Sequence, residues 1–340
     1  PIYVENDGFS INSKVEILDT EDSPLGIARS IGRAVSGIAE ALDHLKPGIL
    51  LLLGDRYETL AAAQAALIAR IPIAHIHGGE LTEGAVDDSI RHAITKMANL
   101  HFVSAEPYRL RVIQLGEQPD YVFTVGAPGL DHLQHLKLLN REELEKSLSF
   151  SFGKCCFLST YHSATLSNQS KDEATKEWLK ALDSFPEAQI IMTYPGADVE
   201  WGTIVNHIES YAAGRPKRVL LTKSLGHLKY LSAMNIADLV VGNSSSGLIE
   251  APSFKIPTVN IGDRQKGRLK ASSVIDCEEN ADSIRRAIQK ALTKDFKAHL
   301  TNTINPYGDG NTTTQIIAQL KKVELNCLRQ KEFYDLNSKA

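Results

Sequence analysis

The amino-acid sequence predicts an α/β protein in which two Rossmann-like domains face each other across a cleft. Short apolar runs alternate with helical stretches over residues 49–125, and a second alternating series begins at residue 155. This alternation is typical of parallel sheets with crossover helices. The two series are similar in size, and the pattern breaks between them after Gly129. Two domains are therefore predicted.

The composition narrows the class of protein. Hydrophobic residues make up 43% and charged residues 23% of the 340 residues, as in soluble globular proteins. The formal net charge of −4 gives no electrostatic reason to expect nucleic acid or an anionic membrane as a partner. No apolar run reaches the roughly 18–20 residues that span a bilayer. The four cysteines lack CxxC or zinc spacing and no signal-peptide pattern is found, which indicates reduced thiols in a cytoplasm.

The N-terminal domain is predicted over residues 1–128. A helical period predicts a helix over residues 24–45, and a short strand is predicted at residues 14–18. The continuous apolar run at residues 49–53 predicts a strand buried on both faces of a parallel sheet. The remaining predictions are helices to about residue 69, from 86 to about 98 and at 106–115, and strands at 71–76, 100–103 and 122–125.

The C-terminal domain is predicted over residues 151–312. Residues 129–150 are polar and helical, and we expect them to connect the two domains. A final helix, residues 313–340, is a candidate to pack back on the N-terminal domain. The other predictions are strands at 155–159, 189–192, 218–221, 239–241, 258–261 and near 274, and helices at 171–184, 199–213, 225–236 and 281–293.

One loop in the C-terminal domain suits a phosphorylated ligand. An apolar strand stops at Gly242, the hydroxylated Ser244 and Ser245 follow, and a helical pattern then begins. Backbone N–H groups and the positive end of a helix dipole at such a point favour an anion. Arg264 follows the next strand and adds a cation. The alternative is an ordinary capped helix after a strand.

Four carboxylates in the N-terminal domain are candidates for acid–base chemistry. Asp55 follows a predicted strand, which suits either a helix cap or a functional acid. Asp87 and Asp88 open a helix, and with Glu80 nearby, like-charge repulsion and burial would raise the pKa of at least one carboxyl. Such a carboxyl can act as a general acid at neutral pH. The alternative is a capped helix in which Asp87 pairs with Arg91, four residues on.

Histidines add to both candidate sites. His75 and His77 share one face of a strand, and with Glu80 they could bind a metal; no further ligand cluster accompanies them, and His75 could equally be a core residue. His162 follows the first strand of the C-terminal domain, where it could hold a phosphate or move a proton. No G-x-S-x-G follows a strand, so a Ser/His/Asp hydrolase is not predicted. No metal and no cofactor are predicted.

Six segments of the sequence together match one known family. They are Gly54-Asp55-Arg56, His75-Ile76-His77-Gly78-Gly79-Glu80, Asp87-Asp88-Ser89-Ile90-Arg91-His92-Ala93-Ile94-Thr95-Lys96, Gly242-Asn243-Ser244-Ser245-Ser246-Gly247, Gly262-Asp263-Arg264-Gln265-Lys266-Gly267-Arg268 and Tyr307-Gly308-Asp309-Gly310-Asn311. They follow the family's order, cover most of the chain and are specific in combination. By these segments the sequence resembles the hydrolysing UDP-N-acetylglucosamine 2-epimerases of bacterial sialic and legionaminic acid pathways. The resemblance implies a glycosyltransferase-B fold with the active site between the domains, and a homodimer or homotetramer.

The resemblance also implies an activity. UDP-N-acetylglucosamine would lose UDP by elimination to a 2-acetamidoglucal, and water would then add with inversion at C2 to give N-acetylmannosamine. Alternatives of related fold are a UDP-2,4-diacetamido-trideoxy-glucose 2-epimerase of legionaminic acid synthesis, a non-hydrolysing epimerase and a sugar transferase. A non-catalytic nucleotide-sugar binding protein is the alternative from a different class.

Residue roles carried over from the resemblance divide between the two domains. Asp55, Glu80 and Asp88 would be the acid–base residues, with Asp87 beside them, and His162 would lie by the phosphate and the scissile bond. The substrate and UDP contacts would come from Arg91, Ser244, Ser245, Glu250 and Arg264.

One family feature is not found in the sequence. The family's N-terminal strand and its T-G-[ST]-R-A-[ED]-[YF]-G loop have no match, and residues 1–12 resemble a segment that follows them. We therefore expect that about 40–50 further residues, one βα unit and part of the next, belong to this domain.

Overall fold

The computed structural model describes residues 4–5, 8–19, 21, 23–82, 86–162, 170–195 and 201–336, with the backbone alone at residues 201 and 329. Contacts divide the chain into two compact units. Unit 1 comprises Pro1–Glu80, Val86–Val125 and Thr314–Ala340, and unit 2 comprises Leu81–Ala85 and Gly126–Thr313. No helix among the described residues is both long and apolar enough to cross a membrane.

Unit 1 is built on a four-stranded parallel sheet in the order β1-β2-β3-β4. Its strands are β1 Leu50–Leu53, β2 Ile73–Ile76, β3 Leu100–Val103 and β4 Val122–Thr124. Its helices are α1 Pro24–Leu45, α2 Tyr57–Ile68, α3 Val86–Met97 and α4 Glu106–Gln114. The predicted alternation is therefore found element by element.

Helix α1 shows how local sequence signals set an element. The Ser23 hydroxyl accepts a hydrogen bond from the Gly26 N–H at 3.1 Å, and Pro24 occupies the first turn. The helix ends at Lys46, whose φ of +46° turns the chain left-handed. Both ends agree with the predicted helix over residues 24–45.

The core of unit 1 depends on small residues in α2. Ala63, Ala65 and Ala66 are buried and let this helix lie close to the sheet. Strands β2 and β3 are buried along their whole length. Strand β1 is different, because Leu51 and Leu53 are 47% and 60% exposed. The prediction that this strand is buried on both faces is wrong: β1 is an edge strand of the described sheet.

Unit 2 contains a six-stranded parallel sheet in the order β10-β9-β8-β5-β6-β7. Its strands are β5 Cys156–Thr160, β6 Gln189–Thr193, β7 Val219–Thr222, β8 Leu239–Gly242, β9 Thr258–Ile261 and β10 Val274–Cys277. Its helices are α5 Asp131–His135, α6 Arg141–Leu148, α7 Lys171–Asp183, α8 Trp201–Ala213, α9 Gly226–Ile236, α10 Ser246–Ile249, α11 Ala281–Ala291 and α12 Lys294–His299. Helix α13, Thr312–Lys322, follows them, and the predicted start of α8 at residue 199 lies outside the described residues. The prediction of two parallel α/β units is confirmed.

Two predicted elements differ from the structure. Residues 14–18 form no strand; they run along α1, where Arg33 donates to the Leu18 carbonyl and the Asp19 N–H donates to Ser30. A helix was predicted over residues 313–340, but the observed helix α13 ends at Lys322. The chain beyond it returns along unit 1.

The returning segment is fixed by a buried ion pair. The Lys331 ammonium lies 2.7 Å from the Glu117 carboxylate, and the Tyr334 N–H donates to the Gly116 carbonyl at 2.9 Å. Glu117 also accepts from His101 at 3.0 Å and Lys96 at 2.6 Å. Burial alone would raise the pKa of Glu117, but its hydrogen bonds and attraction to His101, Lys331 and Lys96 lower it to about 2.

Candidate active site

The loop after β1 places Asp55 at the carboxyl end of the unit 1 sheet. Gly54 has a φ of +86°, and its N–H donates to the Ile76 carbonyl at 3.2 Å. The Gly54 carbonyl accepts from His75 Nε2 at 2.9 Å. Asp55 is thus held by a backbone turn that the neighbouring strand fixes.

His75 is a core residue that supports this turn. Burial lowers the pKa of His75 to about 3, although the hydrogen bond to Gly54 opposes the shift. The ring is therefore neutral at physiological pH. Because Nε2 donates to Gly54, Nδ1 accepts from the Thr95 hydroxyl at 3.2 Å. Of the two interpretations of His75, the core residue is the one that agrees with this geometry. Among the described residues, no group of three His, Cys, Asp or Glu side chains is arranged to hold a metal.

Glu80 is held by two side chains of unit 1. His77 Nδ1 lies 2.6 Å from Glu80 Oε1, and the Ser104 hydroxyl donates to the same oxygen at 2.8 Å. The Glu80 side chain is only 5% exposed. Gly79 has a φ of +78°, and a Cβ there would lie 2.4 Å from the Tyr108 carbonyl oxygen, so the chain reaches Glu80 only through a glycine.

Arg91 brings the unit 1 carboxylates together. Its guanidinium forms an ion pair with Asp55 and lies 3.3 Å from Asp88 Oδ1. It also donates to the Glu80 backbone carbonyl at 2.8 Å. The side chain is 1% exposed, so a full positive charge lies buried between two carboxylates. This charge offsets the repulsion between Asp55 and Asp88, whereas the repulsion expected from the sequence was among Asp87, Asp88 and Glu80.

The other residues of helix α3 occupy the edge of this cluster. Asp87 is partly buried and lies near Arg56. Burial lowers the pKa of Arg56, but the charges of Glu58 and Asp87 have the larger effect, and the pKa is raised overall. His92 Nε2 lies 3.5 Å from Asp88 Oδ2. Burial lowers the pKa of His92, and the charge of Asp88 only partly restores it. His92 therefore remains neutral at pH 7.

In unit 2, the loops after β5 and β8 lie against each other. Gly242 has a φ of +144°, and a Cβ there would lie 1.9 Å from the Thr160 carbonyl oxygen. This close approach lets Asn243 reach His162, whose N–H donates to Asn243 Oδ1 at 2.7 Å. Asn243 Nδ2 donates in return to the His162 carbonyl at 2.9 Å. His162 itself is partly exposed.

The helix that follows the serine loop is shorter than the sequence led us to expect. Helix α10 has only four residues, and the chain continues as a 3-10 helix from Ala251 to Phe254, which has Pro252 in its first turn. A long helix dipole is therefore absent behind Ser244 and Ser245 among the described residues, and hydroxyl and backbone N–H groups are the donors this loop offers. Both serines are partly exposed.

Glu250 and Arg264 both follow this loop in the chain. Glu250 is partly buried at the end of α10. Arg264 is partly buried, and its Nη1 donates to the Asn243 carbonyl at 3.2 Å. The Gln265 amide donates to the same carbonyl at 2.8 Å. Residues after β8 and β9 are thus joined at Asn243.

Three site residues escaped the sequence analysis. Ser104 directly follows β3, so its position at a strand end was the available signal. Asn243 stands inside the glycine–serine motif but has no acid, base or hydroxyl group. Tyr230 lies on α9, and only the fold brings its hydroxyl to the loop. Burial raises the pKa of Tyr230, and hydrogen bonds with Ser246, Thr160 and Ser244 oppose the shift.

Two parallel α/β units, with sheets of four and six strands, give the protein a fold of the glycosyltransferase-B class. The sequence profile of the UDP-N-acetylglucosamine 2-epimerase family matches residues 2–321. The chain belongs to that family, which confirms the resemblance drawn from its motifs.

Individual relatives agree with this assignment. The chain is 42% identical over 330 residues to the GDP/UDP-N,N'-diacetylbacillosamine 2-epimerase (hydrolyzing) of Campylobacter jejuni, covering 96% of this chain and 85% of the relative. It is 36% identical to the polysialic acid biosynthesis protein P7 of Escherichia coli, covering 98% and 85%. The UDP-GlcNAc 2-epimerase of Neisseria meningitidis, solved with UDP-GlcNAc, has a TM-score of 0.81 at 19% identity, over 94% of this chain and 88% of that one. This last likeness concerns the fold.

Proposed function

We propose that the protein is a hydrolysing 2-epimerase, which converts a UDP-2-acetamido sugar and water into UDP and the free sugar inverted at C2. The observation that carries the proposal is the contact of one buried guanidinium, Arg91, with Asp55, Asp88 and the Glu80 carbonyl. Removing a weakly acidic C–H proton requires a positioned carboxylate in a partly dry environment. Unit 1 offers three carboxylates that are partly or fully buried.

The proposed reaction has two steps. A carboxylate takes the C2 proton, the C–H electron pair forms the C1=C2 double bond, and the C1–O bond breaks with its electrons leaving on UDP. Water then adds to the resulting 2-acetamidoglucal: its hydroxyl group goes to C1 and a proton goes to C2 on the opposite face. Because proton removal and return occur on opposite faces, two acid–base groups are needed, and we assign them among Asp55, Glu80 and Asp88, with Asp87 beside them.

Unit 2 would bind the leaving group. Ser244 and Ser245 offer hydroxyl donors to phosphate oxygens, and Arg264 offers a positive charge that would stabilise UDP as the C1–O bond breaks. His162 would contact the phosphate or protonate the leaving oxygen. Glu250 would accept from the two ribose hydroxyls. The resemblance implied that Arg91 contacts the substrate or UDP; because its side chain is 1% exposed, we propose instead that it places the carboxylates.

Two sugars are candidates for the substrate. The sequence motifs alone do not separate UDP-N-acetylglucosamine from UDP-2,4-diacetamido-trideoxy-glucose, which differs at C4 and C6. The relative at 42% identity carries a diacetylbacillosamine name, which favours the second sugar. The relative at 36% carries a polysialic acid name, which favours the first.

We further propose a cytoplasmic homo-oligomer, on the basis of the family resemblance and the free cysteines.

The test is product analysis with both sugars side by side. We expect UDP and a free 2-epimerised sugar, with the higher kcat/KM identifying the physiological substrate. Recovery of a UDP-linked epimer would show a non-hydrolysing enzyme. Transfer of the sugar to an added acceptor without inversion would show a transferase. UDP binding by calorimetry without turnover of either sugar would show a binding protein; each of these three results contradicts the proposal.

A further inference from the structure

We infer that Asn243 is a positioning residue, which fixes the backbone of His162 and joins three loops of unit 2. The inference rests on the proposed function in one respect, the role of His162 in turnover. Asn243 is fully buried, yet it is polar and makes hydrogen bonds with both its side chain and its main chain. A buried amide of this kind stabilises one arrangement of its neighbours, because losing any partner leaves a polar group unsatisfied.

The Asn243 side chain continues the sheet beyond its last residues. Thr160 of β5 and Gly242 of β8 are opposite each other in the parallel register, and the Asn243 N–H then donates to the Thr160 carbonyl at 3.2 Å. One step further, the Asn243 carboxamide takes the place of a peptide group. It accepts from the His162 N–H at 2.7 Å and donates to the His162 carbonyl at 2.9 Å.

The residue before His162 is fixed independently. The Tyr161 ring stacks on Trp178 with ring centroids 5.1 Å apart, and its hydroxyl donates to Glu279 at 2.8 Å. The side chain of residue 161 therefore points into the core of unit 2, and the paired contact with Asn243 sets the backbone of residue 162. The packing of Tyr161 and the two hydrogen bonds of Asn243 together fix the position from which the His162 side chain extends.

The main chain of Asn243 connects the third loop. Its carbonyl accepts from Gln265 Nε2 at 2.8 Å and from Arg264 Nη1 at 3.2 Å. These residues follow β9, whereas His162 follows β5 and Asn243 follows β8. The loops after three adjacent strands thus meet at one residue. A shift of Asn243 would move His162 and Arg264 together.

The geometry requires an asparagine rather than any polar residue. Asparagine supplies one acceptor and one donor, which match the N–H and the carbonyl of His162. Aspartate has nearly the same shape but only accepts, and it would place a carboxylate oxygen against the His162 carbonyl. Alanine removes both contacts. The two substitutions therefore remove one and two of the side-chain hydrogen bonds.

The first test is hydrogen exchange at the His162 amide in the intact protein. We expect Asn243→Ala to accelerate this exchange at least about tenfold, since it removes the acceptor. Asn206→Ala, on an exposed face of α8, is the matched control and should leave it unchanged. Unchanged exchange in Asn243→Ala would overturn the inference, whatever the protein does to UDP-sugars.

The second test asks whether the position matters for turnover. We expect kcat to fall about 10- to 100-fold in Asn243→Asp and further in Asn243→Ala, with a smaller change in KM. In a His162→Ala background, Asn243→Asp should cause little additional loss. A full, additive loss in that background would overturn the positioning role. If His162→Ala leaves turnover unaffected, the proposed role of His162 is refuted instead. The hydrogen-exchange result would then still show whether the Asn243 side chain fixes the His162 backbone.

Discussion

Arg91 and Asp55 form an ion pair across 36 residues of sequence, with the guanidinium 1% exposed. Burying a charged group costs several kcal/mol unless partners replace its water. Asp88 and the Glu80 carbonyl supply the rest of those partners. The pair therefore joins the loop after β1 to helix α3, and the carboxylates of unit 1 depend on it for their positions.

Replacing Arg91 by lysine should lower turnover about 100-fold, because a small displacement of reacting groups has an effect of this size. A lysine ammonium is a point charge and cannot serve Asp55, Asp88 and the carbonyl in the same geometry. Steady-state kinetics with the UDP-sugar would measure the loss. Calorimetric UDP binding should persist, since we assign the nucleotide contacts to unit 2. Arg29→Lys is the surface control, and full turnover in Arg91→Lys would contradict the account.

Ser104→Ala should lower kcat about 10- to 100-fold, the effect of losing a hydrogen bond to a carboxylate. Its hydroxyl donates to Glu80 Oε1 at 2.8 Å in a buried environment, where water cannot replace it. Ser89→Ala changes an exposed serine of α3 and should have no effect. Equal kinetics for the two variants would show that Ser104 does not support Glu80 in catalysis.

Gly242→Ala should destabilise the protein by about 3 kcal/mol or more, from a strained φ and from overpacking. The added Cβ would lie 1.9 Å from the Thr160 carbonyl oxygen, and backbone cannot yield as a flexible side chain does. Gly202→Ala, where a Cβ meets nothing within 4 Å, should change stability by less than about 1 kcal/mol. Denaturant unfolding of both variants would measure the difference. Similar free energies of unfolding would exclude the close approach of Gly242 to the Thr160 carbonyl.

Glu117→Gln should cost about 2–3 kcal/mol at neutral pH, because it removes the charge of a buried carboxylate that is hydrogen-bonded to His101 and to two partly exposed lysines. The pKa of Glu117 is lowered from 4.5 to about 2, so its contribution is present above pH 4.5 and is lost as the pH falls through about 2. The difference in unfolding free energy between the wild type and this variant should therefore narrow from pH 4.5 towards pH 2. Glu142→Gln, on the surface of α6, is the control. A pH-independent difference would contradict the assignment.

The sequence was sufficient to predict most of the fold. Periodicity located the strands of both sheets within two residues, because parallel strands buried by crossover helices are short apolar runs. It failed at residues 14–18, where a short strand was predicted but the chain runs along helix α1. It also failed for burial at β1, since an edge strand and a central strand can have the same apolar sequence. Pairing partners are set by tertiary structure, which no local window contains.

The candidate site was predicted in part. Charged residues at strand ends, such as Asp55 and Glu80, and at a helix start, such as Asp88, were found because their chemistry is visible in the sequence. Ser104 and Asn243 were not, because serine and asparagine are common in loops and their importance comes from what they contact. The sequence predicted a cluster of like charges but not that Arg91 would lie between Asp55 and Asp88. That position depends on the packing of α3.

The most direct test of the proposed reaction is turnover of a UDP-2-acetamido sugar in deuterium oxide, with the product analysed by NMR and mass spectrometry. The account predicts UDP together with a free sugar that is inverted at C2 and carries one solvent-derived deuterium on that carbon. A free sugar that keeps its original hydrogen at C2, or an epimer that remains joined to UDP, would contradict it.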